Sequence, residues 1–547
     1  MADISLSSTQ TWQKQRRGVR RRNWPLTFIA ATVAVFVSLP LLYIFIRALE
    51  GGTDVWLRLA QTRLLGLLAN TLALTVAVTL GTVVLGVLLA WLTERTDLPG
   101  RSIWRWLLAV PLTIPAYIGA VVHLAMLRPR GGYIPQFLAG LFGRPVDTPS
   151  PFGFWGATFI LIIFMYPYVY LLSAAAFRSI HASLEEAARS LGQGVFGSLW
   201  RVTLPVLRPG ISAGALLVVL DILAEYGTVS LLRYETFSSA IFVQLAGRYD
   251  RSAAAVLSGV LVVLAVLVLF GEMRLQGKAR FYQFGSNWRP APPIHLNRWR
   301  IPALFVVLGV IMTALLIPIG VLLYWTWQAL TGPTSMAASF QTGSQGLGVF
   351  AWNSLWSAGL AAILAVLLSL PVALLVVRMP TRLSRIFSRL CQVGYALPGV
   401  VVALSLILLV NRYVPFLYAT PMVVVLAYVL RHMPQAVRSS EAALAQLSPA
   451  LEEASHSLGR SPLITFLLIT VRIILPGLFA GGSLVFLTSL KELPATLLLR
   501  PAGFDTLAVR VWIWAGDGIY TQAAPAALLL ILAAACPLYF LLRRERL

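Results

Sequence analysis

The sequence predicts an all-α polytopic membrane protein of about 12 transmembrane helices, arranged as two homologous six-helix halves. Three observations predict it: an apolar composition, apolar runs long enough to cross a bilayer, and a polar phrase that occurs twice. Of 547 residues, 58% are hydrophobic and 12% charged, where a soluble domain carries about 25% charged residues. Mean hydropathy is +0.80. Residues 185–192 read EEAARSLG and residues 452–459 read EEASHSLG, each just after an apolar run.

A hydrocarbon layer takes about 20 residues of helix. Runs of that length lie near 25–49, 66–92, 105–127, 153–176, 207–232 and 253–272. Six more lie near 301–329, 351–377, 387–411, 419–436, 473–499 and 523–543. Charge placement orders them into a topology. QKQRRGVRRR precedes the first run, ERTDLPGRSIWR follows the second, and EMRLQGKAR with HLNRWR follows the sixth. VRMPTRLSRIFSR follows the eighth and RRERL ends the sequence. Lys and Arg of short loops concentrate on the cytoplasmic side, and these clusters share one side if both termini are inside. The expectation is a multi-pass membrane protein, in contact with the lipid bilayer, with both termini cytoplasmic. Its divisions are a basic cytoplasmic segment 1–24, a first half 25–280, a cytoplasmic linker 281–300 and a second half 301–547.

Other classes fit less well. The net charge of +23 would suit nucleic acid, but no folded soluble domain is there to bind it, so no nucleic-acid partner is expected. The basic start resembles the opening of a secretory leader, yet the apolar run after it is too long and lacks a convincing cleavage site. A retained first helix is the better reading. Cys391 and Cys536 both fall in expected spans, so no disulfide framework is implied. The five histidines are scattered and make no zinc-type cluster, and no metal site is assigned. No G-x-x-x-x-G-K-[ST] occurs, so the chain has no phosphate-cradling loop and no bound cofactor of its own. It is not expected to be an enzyme, and no catalytic residue is assigned.

The repeat is wider than the phrase. Glu185, Glu186, Ala187, Ser190, Leu191 and Gly192 match Glu452, Glu453, Ala454, Ser457, Leu458 and Gly459 at an offset of 267. Thr203/Thr470, Pro209/Pro476 and Gly210/Gly477 keep that register. Upstream the offset is 283, pairing NTL at 70–72 with NSL at 353–355, and IPAYIGAVV at 114–122 with LPGVVVALS at 397–405. The first half therefore holds about sixteen extra residues, placed in LRPRGGYIPQFLAGLFGRPVDTPSP. Parallel repeats of this kind relate halves about the membrane normal, with a substrate path between them.

Both copies follow the fourth run of a half. In the first, Leu184, Ala187, Ala188, Leu191, Val195 and Leu199 recur at helical spacing. Ser183 with Glu186 has the form of a capping box, and Ser448-Pro449 opens the second helix. Gly192 and Gly459 then permit a sharp turn into a second short helix. Such a stretch taken singly would be an interfacial amphipathic helix; two at matching positions are more than that.

These residues resemble the membrane subunits of ATP-binding-cassette importers. Glu186-Ala187-Ala188, Gly192 and Leu204-Pro205 match the signature EAA-x3-G-x9-I-x-L-P, with Val202 for Ile. In the second copy, Glu453-Ala454-Ser455 and Gly459, Ser455 replaces the second Ala, and Val471-Arg472 stands where Leu-Pro is expected. The resemblance implies a type I importer permease fold, with coupling helices that seat in a groove on a partner ATPase. It implies two copies of a cytoplasmic ATPase docking at 183–199 and 450–466, which use ATP-Mg, and an extracytoplasmic substrate-binding protein. DILAEYGTVSLLRYETF at 221–237, LKELPATLLLRPAGFDTL at 490–507 and ERTDLPGR at 94–101 resemble the fused ferric-iron branch. Relatives of that branch carry thiamine, polyamine, sulfate or phosphonate. Because the second copy departs from the signature, a change at Glu186 is expected to do more damage than one at Glu453.

Glu225 and Glu492 also match at offset 267, each followed two residues later by a helix breaker, Gly227 or Pro494. A charge within a span costs roughly 3 kcal/mol on insertion scales and faces a cavity or a partner. Two readings stand: a symmetric acidic pair lining the path, or pairing of Glu492 with Lys491 or an arginine of a neighbouring span. Asp221 and Tyr226 add oxygen donors that suit a hard cation, while Tyr117 and Tyr395 read as packing aromatics. A twelve-span secondary transporter would share the repeat, but TERTDLPGR lacks the leading glycine and Asp-Arg pair of its loop. An intramembrane enzyme would need a convergent catalytic set that the sequence does not offer.

Overall fold

With no water in the bilayer core, backbone N–H and C=O groups must bond within the segment, so long apolar runs become helices. The computed structural model describes residues 24–129, 131–146, 148–180, 182–275, 292–331 and 346–544. Residues 1–23 of the basic N-terminal segment and 281–291 of the expected linker lie outside the described residues. Among the described residues, nine helices are long and apolar enough to span a membrane, and one bent pair makes a tenth.

Four expected spans differ from continuous rods and a fifth is longer than expected, for local reasons. The run 105–127 is two pieces, Arg101–Thr113 and Ala116–Leu127, set at 94°. Pro115 takes an extended ψ of 138° at the break, because a residue there cannot supply the N–H that a continuing helix needs. Its counterpart Pro398 has ψ 147° and divides 387–411 into Arg382–Gln392 and Gly399–Tyr413. The runs 207–232 and 473–499 stop as helices at Ala224 and Leu490. Each then resumes as a short helix, Gly227–Leu231 or Pro494–Leu499. The run 419–436 is longer than expected, Pro421–Gln446, since its polar second half continues the helix.

The repeat letters correspond to matching bonds. Asn70 Nδ2 donates to the carbonyl of Glu235 at 3.1 Å, and Asn353 Nδ2 to that of Asp505 at 3.0 Å. The next residue accepts in both halves: Phe237 N donates to Thr71 Oγ1 at 3.2 Å, and Leu507 N to Ser354 Oγ at 2.8 Å. NTL and NSL are thus clamps that hold the loop after the fifth span to the second span. Each clamp satisfies a carbonyl and an N–H that the helix start leaves open.

The halves are interleaved. The first helix, Trp24–Glu50, packs against Leu347–Arg378 and Gly399–Tyr413 of the second half, and Ser405 Oγ donates to the Pro40 carbonyl at 3.0 Å. Reciprocally, Ile317–Thr331 reaches Ala116–Leu127 of the first. The extra residues of the first half form a short helix, Tyr133–Phe142. It sits on the second half too, through Trp325 Nε1 donating to Tyr133 Oη at 2.8 Å.

The linker is tied to the first half. Thr96 pairs with Ile294 in the only β-bridge among the described residues. Asp97 accepts from Leu296 N and His295 Nδ1, both at 2.9 Å, and pairs with Arg300. The Arg300 guanidinium, with the Leu296 N–H and His295, holds the Asp97 carboxyl well below the usual carboxylate range. Two basic loops therefore meet on one side of the molecule.

Candidate functional site

The two repeated phrases fold alike. Helix Ala182–Ser190 ends in Gly192 at φ +77°, and helix Pro449–Ser457 in Gly459 at φ +80°. This left-handed conformation carries no Cβ penalty in glycine. The closing bonds correspond as well: Gln193 N to Ala188 O at 3.0 Å, and Arg460 N to Ser455 O at 3.2 Å. Each turn leads through a short helix into the fifth span. The first helix begins at Ala182, one residue before the expected cap Ser183. Ser448 is the N-cap of the second, with Pro449 at its first turn, although the Ser448 side chain makes no capping bond.

Exposure divides each phrase in the same way. Glu186, Ala187, Glu453 and Ala454 are exposed, and Leu191 and Leu458 are 81% and 82% exposed. Ala188 and Ser455 are buried. The Ser455 hydroxyl bonds that of Thr465 at 2.8 Å, inside the helical hairpin. The departure from the signature therefore lies beneath the exposed face. Glu185 and Glu452 occupy the matching position just before. Glu452 ties its helix to the second span of its half: Arg378 Nε lies 2.9 Å from Oε2, and Thr470 Oγ1 donates to Oε1 at 2.8 Å. Arg378 ends a span and carried no motif, so the sequence reading missed it.

The acidic residues gather where the fifth spans break. Glu225 Oε1 accepts from Thr228 N at 2.7 Å, and Glu492 Oε1 from Ala495 N at 3.3 Å. Each glutamate caps the short helix after it, satisfying an N–H that a helix start leaves open. Beyond that the halves differ. Glu492 is 5% exposed and forms an ion pair with Arg431 of the neighbouring fourth span, which is the second of the two readings above. Glu225 remains half-buried, and no ion pair to it is present among the described residues. Asp221, one helical turn before Glu225, is half-buried too, near Tyr168 and within reach of the charges of Arg431 and Lys491.

Tyr226 is placed differently from the other three. Its ring stacks on Phe242 at 4.2 Å and lies 5.7 Å from Trp512 of the second half, in an apolar cluster. Tyr117 is buried as expected of a packing aromatic, and its hydroxyl has no hydrogen-bond partner among the described residues. Tyr395 packs against the same cluster as Tyr226. Among the described residues no group of three or more His, Cys, Asp or Glu is placed to hold a metal. The arrangement is one of sparse half-buried acids beside fixed cations, suited to transient contact.

Comparison with known proteins agrees with this architecture. Residues 83–278 and 365–544 each match the family described as binding-protein-dependent transport system inner membrane component. An Fe(3+)-transport system permease protein of Haemophilus influenzae, FbpB 2, is 33% identical over 527 residues, covering 95% of this chain and 98% of its own. The ferric transport system permease protein FbpB of Actinobacillus pleuropneumoniae is 25% identical, covering 94% of this chain and 77% of its own. The sulfate transport system permease protein CysW of Escherichia coli is 27% identical and covers 49% of this chain and 92% of its own. With the match falling once on each half and spanning most of the sequence, this chain belongs to the family of inner-membrane components of binding-protein-dependent transport systems.

Proposed function

We propose that this chain is the permease through which ferric iron, delivered by an extracytoplasmic binding protein, crosses the bacterial inner membrane by alternating access. Two cytoplasmic ATPase subunits dock on the exposed faces around Glu186 and Glu453. ATP-Mg is bound and hydrolysed on them, and their closure moves the halves about the seam where the fifth spans break.

The end-to-end likeness to an Fe(3+) permease carries the reading, whereas the sulfate permease matches about half the chain. Site chemistry supports it. Ferric ion is a hard cation that prefers carboxylate and phenolate oxygens, and Asp221, Glu225 and the nearby Tyr168 offer such oxygens. A sulfate dianion passing the same carboxylates would be repelled.

Deleting the chain in iron-limited cells without another ferric importer tests this. Loss of ATP-dependent ferric uptake is expected, and unchanged uptake would overturn the proposal.

A further inference from the structure

The acid at the fifth-span break is repeated in both halves, but the cations around it are not. At offset 267, Arg431 corresponds to Phe164 and Lys491 to Ala224. The second half thus brings two positive charges to a place where the first brings none. Arg431 is committed to Glu492 of its own half. Lys491 instead crosses to the first half, where its Nζ donates to the carbonyl of Leu112 at 2.8 Å.

That carbonyl belongs to the 3₁₀ turn Val110–Thr113, the end of the segment that bends by 94° before Ala116. A helix that stops leaves carbonyls without donors and a partial negative charge at its C-terminal end. An ammonium suits both. Asp221 of the first half is the carboxylate whose charge acts on Lys491. Close by, the two short helices touch across the seam: a Cβ on Gly227 would come 2.9 Å from Leu493 Cδ2. The ammonium therefore sits between the two halves where their fifth spans break, near the half-buried Asp221 of the first half.

We propose that Lys491 is a resident cation that latches the halves: it bonds the Leu112 carbonyl beside Asp221 while the path is empty, and a cationic cargo displaces it. An arriving cation of higher charge outcompetes a single ammonium for Asp221, with Glu225 one turn away as a further acid. Releasing Lys491 frees the seam, so cargo arrival and separation of the halves become one event. That the cargo is a cation rests on the ferric reading. The cross-half bond does not.

The test uses the complete complex of permease and ATPase subunits, without binding protein or cargo. Two quantities are read: basal ATP hydrolysis, and thiol labelling of Thr113→Cys in a chain lacking Cys391 and Cys536. Thr113 is buried beside the latch. Lys491→Met is expected to raise basal hydrolysis roughly fivefold or more and to expose the Thr113→Cys thiol, while Lys491→Arg keeps both low. Should the Met variant not assemble, Lys491→Gln is read in its place. Assembled neutral variants with wild-type hydrolysis and an unlabelled thiol would overturn the latch. So would failure of every neutral variant to assemble, which would assign Lys491 to folding. Neither readout involves iron, so the latch and the ferric reading fail separately.

Discussion

Arg431 and Glu492, carried by different spans of the second half, form a largely buried ion pair directly over the bare Cα of Gly399. A Cβ at Gly399 would overlap both the Glu492 carboxylate and the Arg431 guanidinium. The first half has Ala116 at the matching position and Phe164 in place of the arginine, so it has no pair to accommodate. Gly399→Ala is expected to force the pair apart, costing about 1–3 kcal/mol as an overpacked core site does, and to impair transport. Ala116→Gly should cost less. Thermal unfolding of the two purified variants compares them directly, and equal losses would count against the cradle.

The coupling faces lead to a revised expectation. Since Ser455 is buried against Thr465 and both phrases expose the same acid, alanine and leucine, Glu186→Lys and Glu453→Lys should weaken ATPase co-purification to a similar degree. The double variant should lose roughly tenfold or more in affinity and abolish uptake with the fold intact. Ser455→Ala should cost about 1 kcal/mol for one hydrogen bond and leave docking unchanged. A large difference between the two glutamates would restore the ranking that the signature alone suggests.

Topology is open to labelling from the outer face. Tyr249 is 82% exposed in the loop before the sixth span, and Asp517 and Ser457 are exposed as well. In sealed cells lacking the native cysteines, a reagent that does not cross membranes should label Tyr249→Cys and Asp517→Cys but not Ser457→Cys. Labelling of Ser457→Cys would reverse the orientation.

The tether between Asp97 and the linker has a defined pH response. The folded carboxyl titrates below its unfolded value of about 3.9, held there first by Arg300 and then by the Leu296 N–H and His295. A lowered folded pKa adds stability that is complete above the unfolded value and lost as pH falls through the folded one. Asp97→Asn should therefore lower the melting temperature by a constant amount between pH 5 and 8. A difference from wild type that varied strongly across that window would contradict the assignment.

The repeat made much of this legible in advance. Equal letters at Gly192 and Gly459 are equal backbone angles, and NTL and NSL are equal clamps. Hydropathy located the spans but could not give their direction, so the bends at Pro115 and Pro398 were hidden inside apolar runs. Glu225 and Glu492 stood out because charge is rare in such runs. Their different surroundings did not, since Arg431 lies 61 positions from Glu492 and Lys491 bonds a backbone carbonyl that no side-chain pattern reports. Tyr226 differs for a related reason: a phenol next to a glutamate in sequence can still place its ring in an apolar stack.

The central claim is that a ferric cation passes the first-half acids, and uptake by the reconstituted transporter tests it most directly. Proteoliposomes holding the permease with its ATPase subunits, supplied with the binding protein loaded with radioactive ferric iron, should accumulate iron only with internal or external ATP on the ATPase side. Asp221→Asn with Glu225→Gln should reduce that accumulation roughly a hundredfold, as loss of two charged contacts of moderate strength implies. Accumulation of sulfate, thiamine or a polyamine in place of iron, or ferric uptake unaffected by the double variant, would contradict the account.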